Sequence, residues 1–321
     1  MITTDLEKAK RILDNNQNLI IPTETVYGLA GNIYNTEAIN NIYRIKERPS
    51  NNPLIVHISS SESLDLVAKD IPEIAYSLAD KFWPGALTMV FNKRESISDL
   101  ITAGKQTVAV RVPNHETTLS LLKSLDYPLA APSANPFGKV SPTSAAHAYR
   151  YFGESVDILD GGKCELGIES TIIGFEEETP VIYRLGSLSL EEIEYQLGNV
   201  EIKNHDDNSP IAPGMMLKHY APTTPLLLTD NIDEAIKNNK AKRIGLLLSQ
   251  TVYSDREKST IIVINNKSNR TTAAKNLYSD LHQLDNMNLD LIIAERWEES
   301  GLGNAINDRL ARASLNYQGI K

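Results

Sequence analysis

Short apolar runs alternate with helix-like segments through most of the chain. An aliphatic run bounded by Pro, Gly, Asn or Asp is typical of a buried strand, and apolar residues spaced three and four apart predict a helix. Up to position 197 these patterns predict strands at 18–22, 54–58, 87–91, 107–112, 127–131, 156–159, 171–175 and 181–185. They predict helices at the N-terminus and over 37–46, 73–82, 143–152 and 189–197.

Two of these helices begin with the sequence of a capping box. Thr4 is followed by Glu7 at the N-terminus, and Ser189 is followed by Glu192. In a capping box the hydroxyl accepts a hydrogen bond from the third helical N–H, and the carboxylate accepts one from the N-cap N–H. We therefore expect these helices to start at Thr4 and Ser189.

The alternation stops over residues 198–225, a polar segment with four prolines. This segment is longer than an ordinary connection, which indicates a linker that acts as a binding segment or lid. The alternation then resumes. It predicts strands at 226–229, 244–248, 261–264 and 289–294, and helices at 232–239, 269–287 and 304–314.

The predicted fold class is therefore α/β. Several strands of the first part follow one another with no helix between them, which favours a twisted mixed sheet over a doubly wound parallel one. The strict alternation after the linker favours a smaller Rossmann-like α/β domain. We expect a first domain at 1–197, a linker or lid at 198–225 and a second domain at 226–321.

Composition limits the classes of protein that fit. The 321 residues are 41% hydrophobic, and no stretch approaches the roughly 20 apolar residues that cross a bilayer. The only cysteine, Cys164, cannot form an internal disulfide, which favours a reducing compartment. A net charge of −9 argues against non-specific nucleic-acid binding but allows an anionic small molecule. We therefore expect a cytoplasmic protein that does not enter a membrane.

The common nucleotide-binding and hydrolase motifs are missing. The sequence GGKC at 161–164 matches only the tail of a P-loop, and GLG at 301–303 lacks the third glycine of a dinucleotide fingerprint. No G-x-S-x-G, H-E-x-x-H or C-x-x-C occurs. An ATP site would thus be of another type. Because no compact set of protein ligands is evident, Mg²⁺ would be bound mainly through substrate phosphates.

Polar groups gather where predicted strands and helices end. The turn PTETVYGL at 22–29 contains Thr25 between a carboxylate and other hydroxyl groups. Lys46 and Arg48 follow a helix end and enter a proline-rich loop that contains Asn52. An ordinary turn and compensation of the helix dipole explain these features in isolation. A clamp for phosphate groups is the functional alternative.

Strand 107–112 combines small groups with a cation. Alternation places Thr107, Ala109 and Arg111 on one face of the sheet. A buried arginine needs an anionic partner, which is either a substrate carboxylate or an internal Asp or Glu. His57 lies on an apolar strand, where a histidine is more often a core group than a ligand.

Further polar groups follow other strands. They include Ser133 in the loop APSANP at 131–136, Ser141, the sequence EST at 169–171, and Arg184. A surface turn or a structural ion pair explains each one alone. Together they favour a binding site at the strand ends, where α/β proteins tend to bind their ligands.

Seven segments in this order resemble the Sua5/YrdC family. PTETVYGL, KERPSNNPL, TVAVRVP, APSAN and IESTII are similar to its YrdC-type domain. PGMMLKHYAP at 213–222 is similar to the linker of the longer Sua5 type, and GLGNAINDRLARAS at 301–314 to the end of its C-terminal domain. The resemblance implies a YrdC-like catalytic domain at 1–197 and a Sua5 C-terminal domain at 226–321.

The resemblance also implies a reaction. The chain would be a nucleotidyltransferase, an L-threonylcarbamoyladenylate synthase, which converts L-threonine, bicarbonate and ATP to threonylcarbamoyl-AMP and pyrophosphate. Downstream tRNA threonylcarbamoyl-transferase proteins would use the product to make N6-threonylcarbamoyladenosine (t6A), and a weak contact with tRNA stays open. A carbamoyl-transfer enzyme of hydrogenase maturation is an alternative that the single cysteine disfavours. An RNA-binding module is another, disfavoured by the acidic charge.

Site residues follow from the same resemblance. Threonine would contact a first set of residues, namely Thr25, His57, Arg111, Ala131 and Ser170. ATP would be surrounded by a second set, namely Lys46, Arg48, Asn52, Thr107, Ser133, Ser141 and Arg184, with Tyr220 in the closing linker. Lys46 and Arg48 would stabilise charge during the reaction, and no covalent nucleophile is implied. Mg²⁺ would accompany ATP as a cofactor.

Overall fold

The computed structural model describes residues 1–203, 219–251, 261–265 and 269–315, which form two compact units. The first unit contains Met1–Phe137 and the described residues of Ser141–Leu217. The second contains Gly138–Val140 and the described residues of Lys218–Lys321. Most of the predicted linker, at 204–218, lies outside the described residues, and so does the PGMMLK part of the linker motif.

The first unit is built on one large sheet. Its strands are β1 (Ile2–Thr3), β2 (Leu19–Ile21), β3 (Gly28–Asn32), β4 (Ile55–His57), β5 (Ala68–Lys69), β6 (Leu87–Lys93), β7 (Thr107–Arg111), β8 (Leu129–Ala130), β9 (Asp157–Leu159), β10 (Thr171–Glu176), β11 (Thr179–Arg184) and β12 (Glu201–Ile202). Its α-helices are α1 (Leu6–Asp14), α2 (Thr36–Lys46), α3 (Glu73–Phe82), α4 (Asp99–Thr102), α5 (Glu116–Ser124), α6 (Ala145–Phe152) and α7 (Leu190–Leu197). A 3₁₀ helix covers Ser61–Leu66.

The sheet mixes parallel and antiparallel pairs. Its strands lie in the order β1-β9-β2-β3-β8-β4-β7-β6-β10-β11-β12, with β5 beside β6. Strand β4 is parallel to β7 and antiparallel to β8, and β6 is antiparallel to β7 and parallel to β10. The prediction of a mixed sheet is confirmed.

The two faces of the central strands differ in character. One face carries Val56, Val110 and Met89, which join the main hydrophobic core together with side chains of α2, α3 and α6. The other face carries a smaller apolar cluster, namely Ile55, Val90, Ala109, Ile172, Val181 and Tyr183. Side chains of paired residues on neighbouring strands point to the same face of the sheet. The strand register therefore places several polar side chains on this second face, at the ends of the strands.

The register places these polar groups explicitly. His57 pairs with Arg111, Ile172 pairs with Thr88, and a bulge in the β10–β11 ladder brings Arg184 opposite Ile172. Thr107, Ala109 and Arg111 alternate along β7, so the predicted common face is confirmed. This side of the sheet is called the polar face below, and it is defined by His57, Thr88, Arg111, Ser170 and Arg184.

The two predicted helix starts had different outcomes. The capping box of Ser189 and Glu192 is present and opens α7. The predicted start at Thr4 is wrong, since Asp5 is the N-cap of α1 and accepts a hydrogen bond from Lys8 N at 3.0 Å. Thr3 pairs with Leu159 in the sheet, and this pairing keeps the chain extended up to Asp5.

Some elements of the first unit had no clear pattern in the sequence. Strand β3 reads GLAGN, which has low β-propensity, yet it pairs with β2 on one side and β8 on the other. Helix α5 reads ETTLSLLKS, with two β-branched residues near its start. One of them, Thr118, is buried and donates its hydroxyl to Pro22 O. Tertiary pairing overrides local preference in both places.

The second unit is a smaller layered α/β structure. Its parallel strands are β13 (Leu226–Thr229), β14 (Ile244–Leu248), β15 (Ile261–Asn265) and β16 (Leu291–Glu295), in the order β13-β16-β14-β15. Its helices are α8 (Ile232–Asn238), α9 (Arg270–Asp285) and α10 (Leu302–Ser314). The predicted Rossmann-like character is confirmed. Across the parts of the chain that the structure describes, no helix combines the length and apolar character needed to cross a membrane.

The capping box of α7 gives a direct test of helix stability. We expect Ser189→Ala to lower the free energy of unfolding by about 1 kcal/mol, because the N–H of Glu192 loses the hydroxyl that accepts its hydrogen bond. Ser189→Asp is the control, since its carboxylate still accepts the hydrogen bond from Glu192 N. Urea titration measures both variants, and equal stability of Ser189→Ala and the parent protein would contradict the assignment.

Candidate functional site

The turn after β2 meets the end of β7 at a buried arginine. Arg111 donates from Nε to Gly85 O at 3.0 Å and from Nη1 to Thr25 Oγ1 at 2.9 Å. Its Nη2 atom lies 2.7 Å from Glu24 Oε1, and both side chains are less than 5% exposed. The internal carboxylate that the sequence left open as a partner of Arg111 is therefore Glu24.

The hydroxyl groups of this turn have a fixed orientation. Thr23 Oγ1 donates its single proton to Val26 O at 2.6 Å, and it also lies 2.9 Å from Thr25 Oγ1. Since Thr23 has no second proton, Thr25 must be the donor between the two hydroxyls. Thr25 then accepts from Arg111, so the turn and the arginine form one continuous network.

His57 lies beside Arg111 on the polar face. The two residues are partners in the β4–β7 ladder, and His57 is 3% exposed. Burial, with a smaller effect of the Arg111 charge, lowers the pKa of His57 to about 3. The imidazole is therefore neutral at physiological pH, and its Nδ1 atom has no hydrogen-bond partner among the described residues.

The loop after β8 is fastened to the same turn. Ala131 N donates to Ile55 O at 3.0 Å, and Gly28 forms an isolated antiparallel bridge with Ser133. A Cβ at Gly28 would lie 3.2 Å from Ala131 Cβ, so glycine permits the close approach of the two segments. Tyr27 N also donates to Pro142 O at 2.9 Å. These contacts place Ala131 and Ser133 next to the Thr25 turn.

Lys46 reaches into this loop from the end of α2. Its Nζ donates to the carbonyl oxygens of Ser133 and Asn135, and the residue is 1% exposed. Burial, and then the charge of Arg48, holds the pKa of Lys46 well below the usual value for a lysine. A nearby anion would favour the charged form of this amine.

Arg48 is held within its own loop. Nε donates to Asn52 O at 3.1 Å, and Nη2 donates to Asn52 Oδ1 and to Pro53 O at 2.7 Å. The αL conformation of Glu47, with φ of 52°, ends α2 and turns the chain toward Arg48. Lys46 and Arg48 are thus two buried basic side chains, one in the last residue of α2 and the other in the loop that follows it.

Ser170 and Arg184 meet at the other side of the polar face. Arg184 Nη2 donates to Ser170 O at 2.8 Å and to Ser170 Oγ at 3.2 Å, and Ser170 Oγ lies 2.7 Å from Thr88 Oγ1. Ser141 donates to Glu169 Oε1 at 2.8 Å. Neighbouring residues therefore connect Ser141 to Ser170.

Comparisons with known proteins identify the family of the chain. Residues 11–186 match the family described as Telomere recombination, Sua5/YciO/YrdC, and residues 188–314 match the family described as Threonylcarbamoyl-AMP synthase, C-terminal domain. The chain belongs to the Sua5/YciO/YrdC family. The family resemblance inferred from the sequence motifs is confirmed.

Relatives match over almost the full length of the chain. It is 42% identical to the threonylcarbamoyl-AMP synthase of Pyrococcus abyssi over 94% of this chain and 91% of the relative. It is 38% identical to the Bacillus subtilis protein of the same name, over 96% and 92%. The crystal structure of P. abyssi Sua5 complexed with L-threonine matches with a TM-score of 0.88, 39% identity and coverage of 96% and 94%.

Thr107 and Tyr220 are the remaining expected site residues of this Sua5/YciO/YrdC protein. Thr107 is at the start of β7 and lines a cavity of about 310 Å³ with Asp70, Asn92 and Tyr183. Tyr220 belongs to the second unit, where its ring stacks on Tyr278 with centroids 5.7 Å apart. The guanidinium groups of Arg309 and Arg312 lie over the Tyr220 ring.

Three polar residues of the site were absent from the predicted set. Glu24 had a visible signal, because its carboxylate stands in the PTETVYGL turn. Glu169 also stands in a quoted motif, but its contact with Ser141 depends on the fold. Thr88 lies in the apolar strand β6, and no local pattern distinguishes it. Its role follows only from the register of β6 with β10.

The remaining titratable groups limit the chemistry of the site. Burial, with a smaller effect of the Glu24 charge, raises the pKa of the Cys164 thiol to about 12, so it is protonated at neutral pH. The described ranges of the chain contain no group of three or more His, Cys, Asp or Glu arranged to hold a metal ion. The polar face itself carries the guanidinium groups of Arg111 and Arg184 and the hydroxyl groups of Thr88 and Ser170, which can bind anionic ligands.

The shifted pKa of His57 predicts a pH-dependent stability. The His57 imidazole takes up a proton near pH 6.5 in the unfolded chain and only near pH 3 in the folded protein. Its contribution to the free energy of unfolding is therefore fully present above pH 6.5 and is lost as the pH falls, because protons then bind preferentially to the unfolded chain. Between pH 6.5 and 5.5 this effect lowers the free energy of unfolding of the parent protein by about 1 kcal/mol. We expect this part of the decrease to be absent in His57→Gln. Urea titrations at both pH values measure it, and identical losses in the two proteins would contradict a buried neutral His57.

Proposed function

We propose that the chain is an L-threonylcarbamoyladenylate synthase, which makes threonylcarbamoyl-AMP and pyrophosphate from L-threonine, bicarbonate and ATP. The observation that carries the proposal is the buried arginine of the polar face, together with the buried basic side chains of Lys46 and Arg48 in the same unit. Relatives named threonylcarbamoyl-AMP synthase, 42% and 38% identical over nearly the whole chain, support the same activity.

The amino-acid half of the site is formed around Arg111. Its guanidinium has a rigid fork of N–H donors that matches a carboxylate. Thr25 and His57 lie beside it, and Ser170 belongs to the same face of the sheet. We assign the threonine carboxylate to Arg111, and Ala131 lines the site through its backbone.

The nucleotide half of the site is formed around Lys46 and Arg48. Phosphate oxygens bind best where positive charge is concentrated, and these two basic side chains are buried two residues apart at the end of α2. The lowered pKa of Lys46 would rise beside a polyphosphate, because an opposite charge favours the ammonium form. Asn52, Ser133, Ser141 and Arg184 complete this proposed half. We assign Thr107 and Tyr220 to it on the family resemblance alone.

The two halves meet where the reaction needs them. Arg184 contacts Ser170, so a nucleotide-side residue touches a threonine-side residue. The bound threonine must first lose its ammonium proton. The neutral amine then attacks carbon dioxide, with release of a second proton, or bicarbonate, with release of water, and a carbamate forms. A carbamate oxygen then attacks the α-phosphorus of ATP, the bond to the β-phosphate oxygen breaks, and pyrophosphate leaves.

Electrostatics and positioning supply the catalysis in this mechanism. The attacking carbamate and the triphosphate are both anionic, so Lys46 and Arg48 offset their repulsion. We place Mg²⁺ on the phosphates of ATP, where it would neutralise further charge. The protonated Cys164 thiol has no role as a nucleophile. Holding three substrates together lowers the entropic part of the barrier.

The product fits a pathway to modified tRNA. Threonylcarbamoyl-AMP is a mixed anhydride and therefore an activated donor of the threonylcarbamoyl group. We propose that downstream threonylcarbamoyl-transferase proteins consume it to form t6A in tRNA, and that any direct contact of this chain with tRNA is weak. The net charge of −9 supports weak rather than strong binding of tRNA, because an acidic protein repels the phosphate backbone.

Pyrophosphate release tests the proposed activity. We expect the purified chain to release pyrophosphate from ATP only when L-threonine, bicarbonate and Mg²⁺ are all present, because all three contribute to the reacting complex. A coupled phosphate assay measures the release, and mass spectrometry identifies threonylcarbamoyl-AMP. Folded protein with no release above the background would overturn the proposal.

Arg111→Lys tests the division of the site into two halves. The lysine keeps the positive charge beside Glu24 but loses the fork, so we expect threonine to bind roughly tenfold more weakly or worse. ATP affinity should change little. Isothermal titration calorimetry measures both ligands, with Arg150→Lys on the exposed side of α6 as the matched control. Equal losses for threonine and ATP would refute the assignment of the carboxylate to Arg111.

A further inference from the structure

Glu24 is a buried carboxylate with unused hydrogen-bonding capacity. The residue is 3% exposed, and Oε1 lies 2.7 Å from Arg111 Nη2. This contact is an ion pair without the alignment of a hydrogen bond. Among the described residues, neither oxygen of Glu24 nor Arg111 Nη2 has an aligned hydrogen-bond partner. Buried polar atoms of this kind are costly and are almost always satisfied, so the pair points to a ligand.

The neighbouring side chains do not supply the missing hydrogen bonds to Glu24. The Thr25 proton is directed to Thr23, and the Thr23 proton is directed to Val26 O. Cys164, whose thiol pKa is raised by burial and then by the Glu24 charge, forms no hydrogen bond to the carboxylate in the described structure. The donor for Glu24 must therefore come from outside this turn.

The unsatisfied atoms specify the chemistry of that ligand. Arg111 Nη2 offers N–H donors, and an anionic acceptor such as a carboxylate makes the strongest hydrogen bond to them. Glu24 offers carboxylate oxygens directly beside it, and an ammonium group is their strongest donor. An α-amino acid carries a carboxylate and an ammonium on the same carbon atom, so both charges can reach the two halves of the pair at once.

We infer that Glu24 binds the α-ammonium group of the amino-acid substrate, so that the Glu24–Arg111 pair recognises an α-amino acid as a zwitterion. This inference rests on the proposed function and names a further specificity-determining residue for it. The pair as a whole is neutral, as is the zwitterion. An α-hydroxy acid of the same shape offers the carboxylate but no cation, and it leaves the Glu24 charge without its partner.

A purely structural role for Glu24 predicts a different result. If Glu24 only holds the guanidinium in place, its loss must weaken every ligand that binds Arg111 through a carboxylate. If it binds the ammonium group, its loss must weaken only ligands that carry an amine. The ratio of two affinities therefore separates the roles.

The experiment compares L-threonine with (2S,3R)-2,3-dihydroxybutyrate, which replaces the amine by a hydroxyl. Calorimetry measures both affinities in the full-length protein and in Glu24→Gln. We expect the parent protein to prefer threonine, and Glu24→Gln to bind threonine about tenfold to hundredfold more weakly. Its affinity for dihydroxybutyrate should stay within about threefold, because the amide oxygen of the glutamine can keep the place of Glu24 Oε1 beside Arg111.

Two further variants keep the test decisive. Glu176→Gln makes the same chemical change at a carboxylate paired with Lys203 on the same sheet, and it should keep the parent ratio. Glu24→Asp retains the charge beside Arg111 but withdraws it by one methylene, so the ratio should fall by less than in Glu24→Gln. If Glu24→Gln does not fold, an unchanged ratio in Glu24→Asp overturns the inference.

The outcomes also separate the inference from the proposed function. An equal loss of both ligands in Glu24→Gln, or an unchanged ratio, overturns the role of Glu24. The proposed function survives that result if the parent protein still releases pyrophosphate with threonine. A parent protein that binds no threonine and releases no pyrophosphate overturns both.

Discussion

The buried ion pair of Arg111 and Glu24 is the interaction on which the site depends. Breaking such a pair on one side typically costs 3–5 kcal/mol, because the remaining charge stays buried without compensation. The pair joins the end of β7 to the turn after β2, and the bond from Arg111 to Gly85 O adds the segment before β6. One guanidinium thus fixes three segments that are distant in sequence, and it leaves donors for a ligand.

The register of the sheet determines which side chains share that site. Strands β4, β7, β6 and β10 are neighbours, although their order along the chain is different. Because side chains of paired residues point the same way, His57, Arg111, Thr88 and Ser170 fall on one face. A shift of one residue in β7 would move Arg111 into the main core. The apolar packing of the opposite face therefore protects the geometry of the polar face.

Burial gives the charged groups of the site different properties. His57 becomes neutral, and Lys46 loses much of its preference for the charged form, in both cases mainly because desolvation penalises the cation. Arg111 and Arg48 stay charged, since a guanidinium is not deprotonated in proteins. The site thereby combines two guanidinium groups with one amine whose charged form a bound anion would favour. This combination suits a reaction between two negatively charged partners.

The sequence by itself determined most elements, the mixed and the Rossmann-like sheets, the common face of Thr107, Ala109 and Arg111, and the family. Periodicity and ordered motifs are local properties, so one chain is enough to reveal them. Only the tertiary structure decided that Glu24 is the partner of Arg111, that Thr88 lies at the site, and that GLAGN forms a strand. It also showed that the N-cap of α1 is Asp5 and not the predicted Thr4. These features depend on strand pairing between distant segments, and no local preference encodes which segments will meet.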